Sequence, residues 1–155
     1  MEQRPVVITG ADGFVGSALV AHYAAIPVAF QEAGRDLSLT PAGMGAFDSL
    51  RLEKGYRLWG GDVDTERNPY EAGLGWTVKL QKPEFTGRDV LIRQKAEGLA
   101  RKLVGLEFDG RRVPRHGMAV EAAGRVVGKV TSGTFSPSLG RPIAMAYVES
   151  AYAAL

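Results

Sequence analysis

Arg51 is the residue that most restricts how this chain can fold. A helix drawn through residues 44–55 at 100° per residue groups Met44, Phe47 and Arg51 on one side and sets Ser49 and Glu53 on the other, so a permanent cation lies within the apolar stripe. An unpaired ion in a protein interior is costly, and the fold must therefore bring that guanidinium a partner. Spacing offers Asp48, three residues back on nearly the same face; an anionic ligand is the other candidate. Thr40 and Pro41 read as the cap and first-turn residue of this helix, and Gly55 as its stop.

Elsewhere, the spacing of apolar residues and the glycine and proline breaks outline an α+β chain. At the amino terminus a short buried strand (Pro5–Thr9) runs into a glycine-rich loop and an apolar helix from Phe14 to about Ala25, which must end before Pro27. A short helix over Val28–Ala33 stops at Gly34. After the arginine helix, residues 56–76 look irregular and Trp76–Leu80 reads as a strand. Another helix starts at Thr86 or Gly87, runs to about Ala96 and is closed by Gly98. From Lys102 the period changes to two. Leu103–Phe108, Met118–Glu121, Arg125–Val130 and Ile143–Val148 are strand-like, with turns at Asp109-Gly110, Ala123-Gly124 and Gly140-Arg141-Pro142. These segments imply a βα piece over 1–34, an α/β part over 35–97 and an antiparallel, barrel-like part over 98–155, the barrel being incomplete.

Composition narrows the chemistry. With 19 basic against 17 acidic side chains among 155 residues, there is no electrostatic case for nucleic acid. Arg111-Arg112 and Arg115-His116 form the densest basic cluster and read as a solvated hairpin. The absence of cysteine excludes disulfides and thiolate chemistry and suits a reducing, cytoplasmic setting. No apolar run reaches the roughly 18 residues of a membrane span, and neither a span nor a signal peptide is expected. His22 and His116 stand too far apart in sequence to suggest a metal site. Asp62-Val63-Asp64 sets two carboxylates on one side of an extended segment, as an acid pair or cation site needs, but without a third ligand, so turn capping is the reading. The hydroxyls of Thr131-Ser132-Gly133-Thr134 read as a polar hairpin turn, with an anion nest as the alternative.

Several ordered motifs carry a family resemblance. Thr40-Pro41-Ala42-Gly43, Phe47-Asp48-Ser49-Leu50-Arg51-Leu52-Glu53, Asn68-Pro69-Tyr70-Glu71-Ala72-Gly73-Leu74-Gly75-Trp76, Phe85-Thr86-Gly87-Arg88, Gly128-Lys129-Val130-Thr131-Ser132-Gly133-Thr134-Phe135-Ser136-Pro137-Ser138-Leu139-Gly140 and Ile143-Ala144-Met145-Ala146-Tyr147-Val148 stand in one order. Over about residues 35–155 the chain resembles the folate-dependent aminomethyltransferases: the glycine cleavage T protein and the carboxyl-terminal regions of dimethylglycine and sarcosine oxidases and dehydrogenases. That resemblance implies one-carbon transfer to tetrahydrofolate, with a lipoyl carrier protein or a flavin-dependent oxidase domain as partner. It places Arg51 on the family arginine that contacts folate and Glu71 on a glutamate that either orients Arg51 or serves the fold. The family's catalytic aspartate has no counterpart here and its last barrel strands are expected to be missing, so a fragment with weak or no turnover of its own is implied. No catalytic residue is assigned.

The first 25 residues carry a second likeness. Gly10-x-x-Gly13-x-x-Gly16, after a strand and before a helix, resembles the dinucleotide loop of extended short-chain dehydrogenases and epimerases, where glycines let the backbone approach a pyrophosphate. NAD or NADP is then the alternative cofactor, although no Tyr-x-x-x-Lys pair exists for proton transfer. The competing alignment sets Thr9-Gly10-Ala11-Asp12-Gly13-Phe14-Val15 on a Thr-Gly-Glu-Asp-Gly-Phe-Glu stretch of the aminomethyltransferases, with Ala11 and Val15 in place of two glutamates. The dehydrogenase-like reading fits Gly16 and the following Ser-Ala-Leu-Val somewhat better. A junction of two families with neither activity is the third possibility.

Overall fold

The computed structural model describes residues 7–8 and 30–153, which fall into two units, Met1–Leu50 and Arg51–Leu155. The helix expected over Phe14–Ala25 and the glycines Gly10, Gly13 and Gly16 lie outside the described residues.

In the first unit a two-residue strand β1 (Val7–Ile8) runs parallel to β2 (Thr40–Pro41), pairing Val7 with Thr40 and Ile8 with Pro41. Residues 30–33 are helical and stop at Gly34, whose N–H donates to the Phe30 carbonyl at 2.9 Å. A 3-10 turn, Arg35–Leu37, follows. Thr40 and Pro41 therefore do not cap the arginine helix. A residue before proline is driven toward extended backbone, and here the extended pair finds a strand partner distant in sequence, so the helix start moves to Met44.

Helix α1 spans Met44–Glu53 and ends as expected at Gly55. The Gly55 N–H reaches the Leu52 carbonyl at 2.9 Å and the Tyr56 N–H the Arg51 carbonyl at 2.8 Å, while Gly55 adopts φ +71°. This paired closure requires a left-handed residue that glycine occupies without steric cost. Helix α2, Arg88–Glu97, lies between Gly87 and Gly98, both at φ +84°. The Arg88 side chain donates to the carbonyls of Leu80 and Lys82 and closes the loop before the helix. Trp76–Leu80 is not a strand. Gly75–Thr77 forms a 3-10 turn and Trp76 stays 74% exposed.

The second unit is built on a four-stranded antiparallel sheet of β3 (Arg101–Glu107), β4 (Ala119–Ala122), β5 (Arg125–Ser136) and β6 (Arg141–Glu149), in the order β3-β6-β5-β4. Its ends are not paired to each other, so the sheet is open, as the barrel-like but incomplete reading anticipates. The central strand β6 is buried on both faces from Pro142 to Val148. Ala144, Ala146 and Val148 pack with Val130, Val104 and Leu106 on one side; Ile143 and Met145 pack with Leu103 and Leu52 of α1 on the other. Apolar burial on both faces explains the continuous apolar run Ile143–Val148.

Strand β5 departs from expectation. Thr131–Thr134 is not a turn: the strand continues to Ser136, and the reversal into β6 is closed by the Gly140 N–H on the Ser136 carbonyl at 2.9 Å. The register against β6 shifts between Val130, opposite Ala146, and Ser132, opposite Met145. Thr131 is thus the extra residue of a β-bulge. Polar residues that read locally as a turn are carried in a strand because β6 supplies the partner for the ladder and the hydroxyls find buried acceptors.

Gly133 tolerates this close packing only without a side chain, since a Cβ there would run into the Pro114 carbonyl oxygen. Gly105 meets nothing within 4 Å. Gly133→Ala should therefore cost about 1–3 kcal/mol in urea unfolding, while Gly105→Ala stays within about 0.5 kcal/mol of the parent. Equal effects of the two substitutions would contradict this packing.

Candidate functional site

The site is built where the carboxyl end of α1, the loop 56–64 and the bulge of β5 converge. Arg51 is 7% exposed and Asp62 1%, and the Arg51 Nη1 donates to Asp62 Oδ2 at 2.6 Å. Arg51 Nη2 donates to Ser132 Oγ at 3.0 Å and Nη1 also reaches the Tyr56 carbonyl at 3.3 Å. Asp62 is supported on every side. Its Oδ2 accepts the Leu58 N–H at 2.9 Å, and its Oδ1 the Thr131 hydroxyl at 2.5 Å. Its backbone carbonyl accepts the Tyr147 hydroxyl at 2.9 Å.

Local folding explains these positions. The Leu58 carbonyl accepts three successive N–H groups, from Gly61, Asp62 and Val63, which curls the loop so that the Asp62 side chain turns back on the Leu58 amide. The bulge does the same service from the sheet. In a regular strand Thr131 and Ser132 would face opposite sides; the inserted residue brings both hydroxyls to the ion pair. The Thr131 carbonyl, freed from the ladder, lies 2.7 Å from His116 Nδ1, which must carry a hydrogen to serve it.

The Asp62 carboxyl is held below its usual pKa. Burial pushes the value up and is the largest single influence, but the Thr131 hydroxyl, the Leu58 N–H, the Ser132 hydroxyl and the Arg51 charge together outweigh it. Glu53, expected on the solvent side, pins the β5–β6 reversal instead: its carboxylate accepts the Ser136 hydroxyl at 2.5 Å, the Ser138 N–H at 3.2 Å and the Ser138 hydroxyl at 2.7 Å, and these bonds lower its pKa.

Of the residues singled out in the sequence, Arg51 is buried as anticipated, and Asp62 is a carboxylate partner that spacing did not offer. The signal was present in Asp62-Val63-Asp64, but only the fold brings the first carboxylate to the helix. Asp64 does cap a turn, accepting the Glu66 N–H at 2.8 Å. Glu71 meets Arg101 and Asn68. Its carboxylate takes Arg101 Nε at 3.0 Å and the Asn68 N–H at 3.2 Å, while the Glu71 N–H returns to Asn68 Oδ1. Two clefts border this region. One, of about 320 Å³, is lined by Leu52, Glu53, Arg57, Gly105 and Met145; the other, of about 470 Å³, by Arg67, Glu71, Gln94 and Arg101. Arg51 lines neither. Among the described residues no group of three or more His, Asp or Glu could hold a metal ion, and no helix is long and apolar enough to cross a membrane.

Comparison with known proteins gives this arrangement its family. Residues 9–82 match the GCVT N-terminal domain and residues 101–155 the glycine cleavage T-protein C-terminal barrel domain. The chain belongs to the glycine cleavage T protein family. It is 55% identical over 120 residues to an aminomethyltransferase of Halothermothrix orenii, covering 77% of this chain and 34% of that protein. It is 48% identical over 148 residues to one of Symbiobacterium thermophilum, covering 95% and 40%. The crystal structure of the glycine cleavage system aminomethyltransferase T from Bartonella henselae superposes with a TM-score of 0.74 at 33% identity, covering 83% of this chain and 37% of that one. The chain thus spans a third to two fifths of the length of these relatives. The match from residue 9 takes in Thr9–Val15, so the glycine-rich segment aligns within this family, against the dehydrogenase-like reading.

Asp62→Asn should cost about 3–5 kcal/mol at neutral pH, because it removes the buried carboxylate charge that Arg51 meets at 2.6 Å. Since the folded-state pKa of Asp62 lies below 3.8, its stabilisation is present above that value and lost as pH falls through the depressed one. Denaturant titrations at a series of pH values should accordingly give the variant a shallower loss of stability below about pH 4. Superimposable acid limbs would remove Asp62 from the account.

Proposed function

We propose that this chain supplies the arginine-helix and barrel portion of a folate-dependent aminomethyltransferase, in which a one-carbon unit passes from an aminomethyl group to tetrahydrofolate. The observation that carries the reading is the convergence of two motifs far apart in the chain, Leu50-Arg51-Leu52-Glu53 and Gly128-Lys129-Val130-Thr131-Ser132-Gly133, on one buried ion pair within a family of aminomethyltransferases. Asp62 and Ser132 hold the guanidinium plane in a single orientation. Arg51 lines neither cleft and is held by Asp62, Ser132 and the Tyr56 carbonyl, so we assign it to folate recognition as the buried brace that sets the binding wall. Glu71 we read as a support of that wall through Arg101. The aminomethyl donor is then delivered by a lipoyl carrier protein or a flavin-dependent oxidase domain.

The test is titration of the full chain with tetrahydrofolate, and separately with NAD and NADP, followed by thermal unfolding. At a hundred times its dissociation constant a ligand stabilises the folded state by about 2.7 kcal/mol. A shift with tetrahydrofolate and none with either dinucleotide is expected; the reverse pattern overturns the assignment. Arg51→Lys keeps a charge but loses the planar fork, and should weaken tetrahydrofolate binding by about 1.5–3 kcal/mol in calorimetry. Unchanged affinity in a folded variant would reduce Arg51 to a role in the fold alone.

A further inference from the structure

The cleft of about 470 Å³ between the loop 65–71, the start of β3 and helix α2 contains one cation, Arg67, that neither a hydrogen bond to a described residue nor the one-carbon reading uses. Arg67 and Arg101 both place their guanidinium groups over the ring of Tyr147, at 4.9 and 5.8 Å from its centroid. The two are not equally engaged. Arg101 gives its Nε to Glu71 Oε1 at 3.0 Å. Arg67 donates no hydrogen bond to any described residue; the carboxylate nearest it, Glu66 Oε2, stands at 3.8 Å, beyond hydrogen-bond range, on a side chain that is 80% exposed. Yet the Arg67 side chain is only 22% exposed.

A guanidinium has five N–H donors and is relieved of much of its hydration when stacked on an aromatic face. The Arg67 nitrogens reach solvent, so an anionic group entering the cleft meets donors that no protein acceptor holds. Glu71, the other carboxylate of the cleft, already accepts Arg101 and the Asn68 N–H. Gln94 of α2, which also lines the cleft, keeps its Oε1 buried without a hydrogen-bond partner among the described residues. The cleft therefore lacks an acceptor at Arg67 and a donor at Gln94, and has an apolar margin at Val90 and Leu91.

We propose that this cleft binds a small organic acid, its carboxylate held by Arg67 with the free edge of Arg101 beside it, and a hydroxyl or amino group of the same acid donating to Gln94. A carboxylate presents two coplanar oxygens to the guanidinium fork, and the hydroxyl of an α-hydroxy acid adds the donor that Gln94 needs, which phosphate at neutral pH, with its larger charge beside Glu71, supplies less well. Tyr147 is the platform that fixes both arginines, and its own hydroxyl is tied to the Asp62 carbonyl, so occupancy of the cleft bears on the same tyrosine that steadies the Arg51 partner. The site uses residues 67, 94 and 101 rather than Arg51, and it stands or falls independently of folate binding.

Glycolate, acetate and inorganic phosphate are the probes, titrated into the full chain and followed by isothermal calorimetry and by amide chemical shifts of the α2 and 65–71 backbone. Glycolate is expected to bind and to shift those amides, acetate to bind at least threefold more weakly for want of the donor, and phosphate more weakly than glycolate. Arg67→Gln should weaken glycolate binding at least tenfold, with Arg67→Lys intermediate. Gln94→Leu, on the surface-facing helix, should abolish the preference for glycolate over acetate. Absence of glycolate binding, binding that Arg67→Gln leaves unchanged, tighter binding of phosphate, or shifts confined to other segments each overturn the proposal. Should Arg67→Gln prove unfolded by its amide spectrum, the Gln94→Leu comparison decides.

Discussion

One buried ion pair organises this structure. Arg51 enters from the last turn of α1 and Asp62 from a tight loop eleven residues later, and together they bind α1, the loop and the β5 bulge. Such a pair is tolerated because nearly every polar atom around it is matched: Asp62 alone accepts from a guanidinium, a main-chain amide and a hydroxyl, and its backbone carbonyl takes the Tyr147 phenol. Desolvating two charges costs several kcal/mol each, so the arrangement survives only while this set stays complete. Its contribution is to geometry as much as to stability. The β5 register shifts at Thr131, and the hydroxyls of Thr131 and Ser132 both reach the pair there.

Much of the architecture could be read from residue patterns, and the failures share one cause. Gly55, Gly87 and Gly98 end or open helices where the sequence placed them, because a left-handed residue is a local requirement that only glycine meets without cost. The four strands appear in order because alternation and apolar runs report burial directly. Pro41 and Thr131–Thr134 went differently because each depends on a partner remote in the chain: β1 for Thr40–Pro41 and β6 for the hydroxyl-rich end of β5. The ion pair is the same case. The apolar stripe of α1 makes an interior arginine legible at once, whereas Asp62 looks like any loop aspartate until the loop closes on Leu58. Nor does the stripe hold throughout, since Phe47 remains 41% exposed while Leu52 is buried against Met145 and Ile143.

Membership of the glycine cleavage T protein family gives this geometry its context. The two family regions meet this chain on either side of α2, and the buried pair ties the arginine helix of the first to the strands of the second. Both arginines of the neighbouring cleft rest on Tyr147, which is linked in turn to Asp62, so the candidate ligand walls and the structural pair share one aromatic residue. Rigid support of this kind is what a binding wall requires, since groups that must meet a ligand lose affinity whenever their own scaffold is loose.

The central claim is that Arg51 and Asp62 act as a single unit. A double-mutant cycle on Arg51→Met and Asp62→Leu, read by urea unfolding at neutral pH, measures that unit directly. Each single change should be strongly destabilising because it strands the other charge, and the double variant should recover part of the loss, giving a coupling of about 2–3 kcal/mol. Additive effects, with coupling near zero, would mean that the two residues support the fold separately and that the convergence described here is not what holds it together.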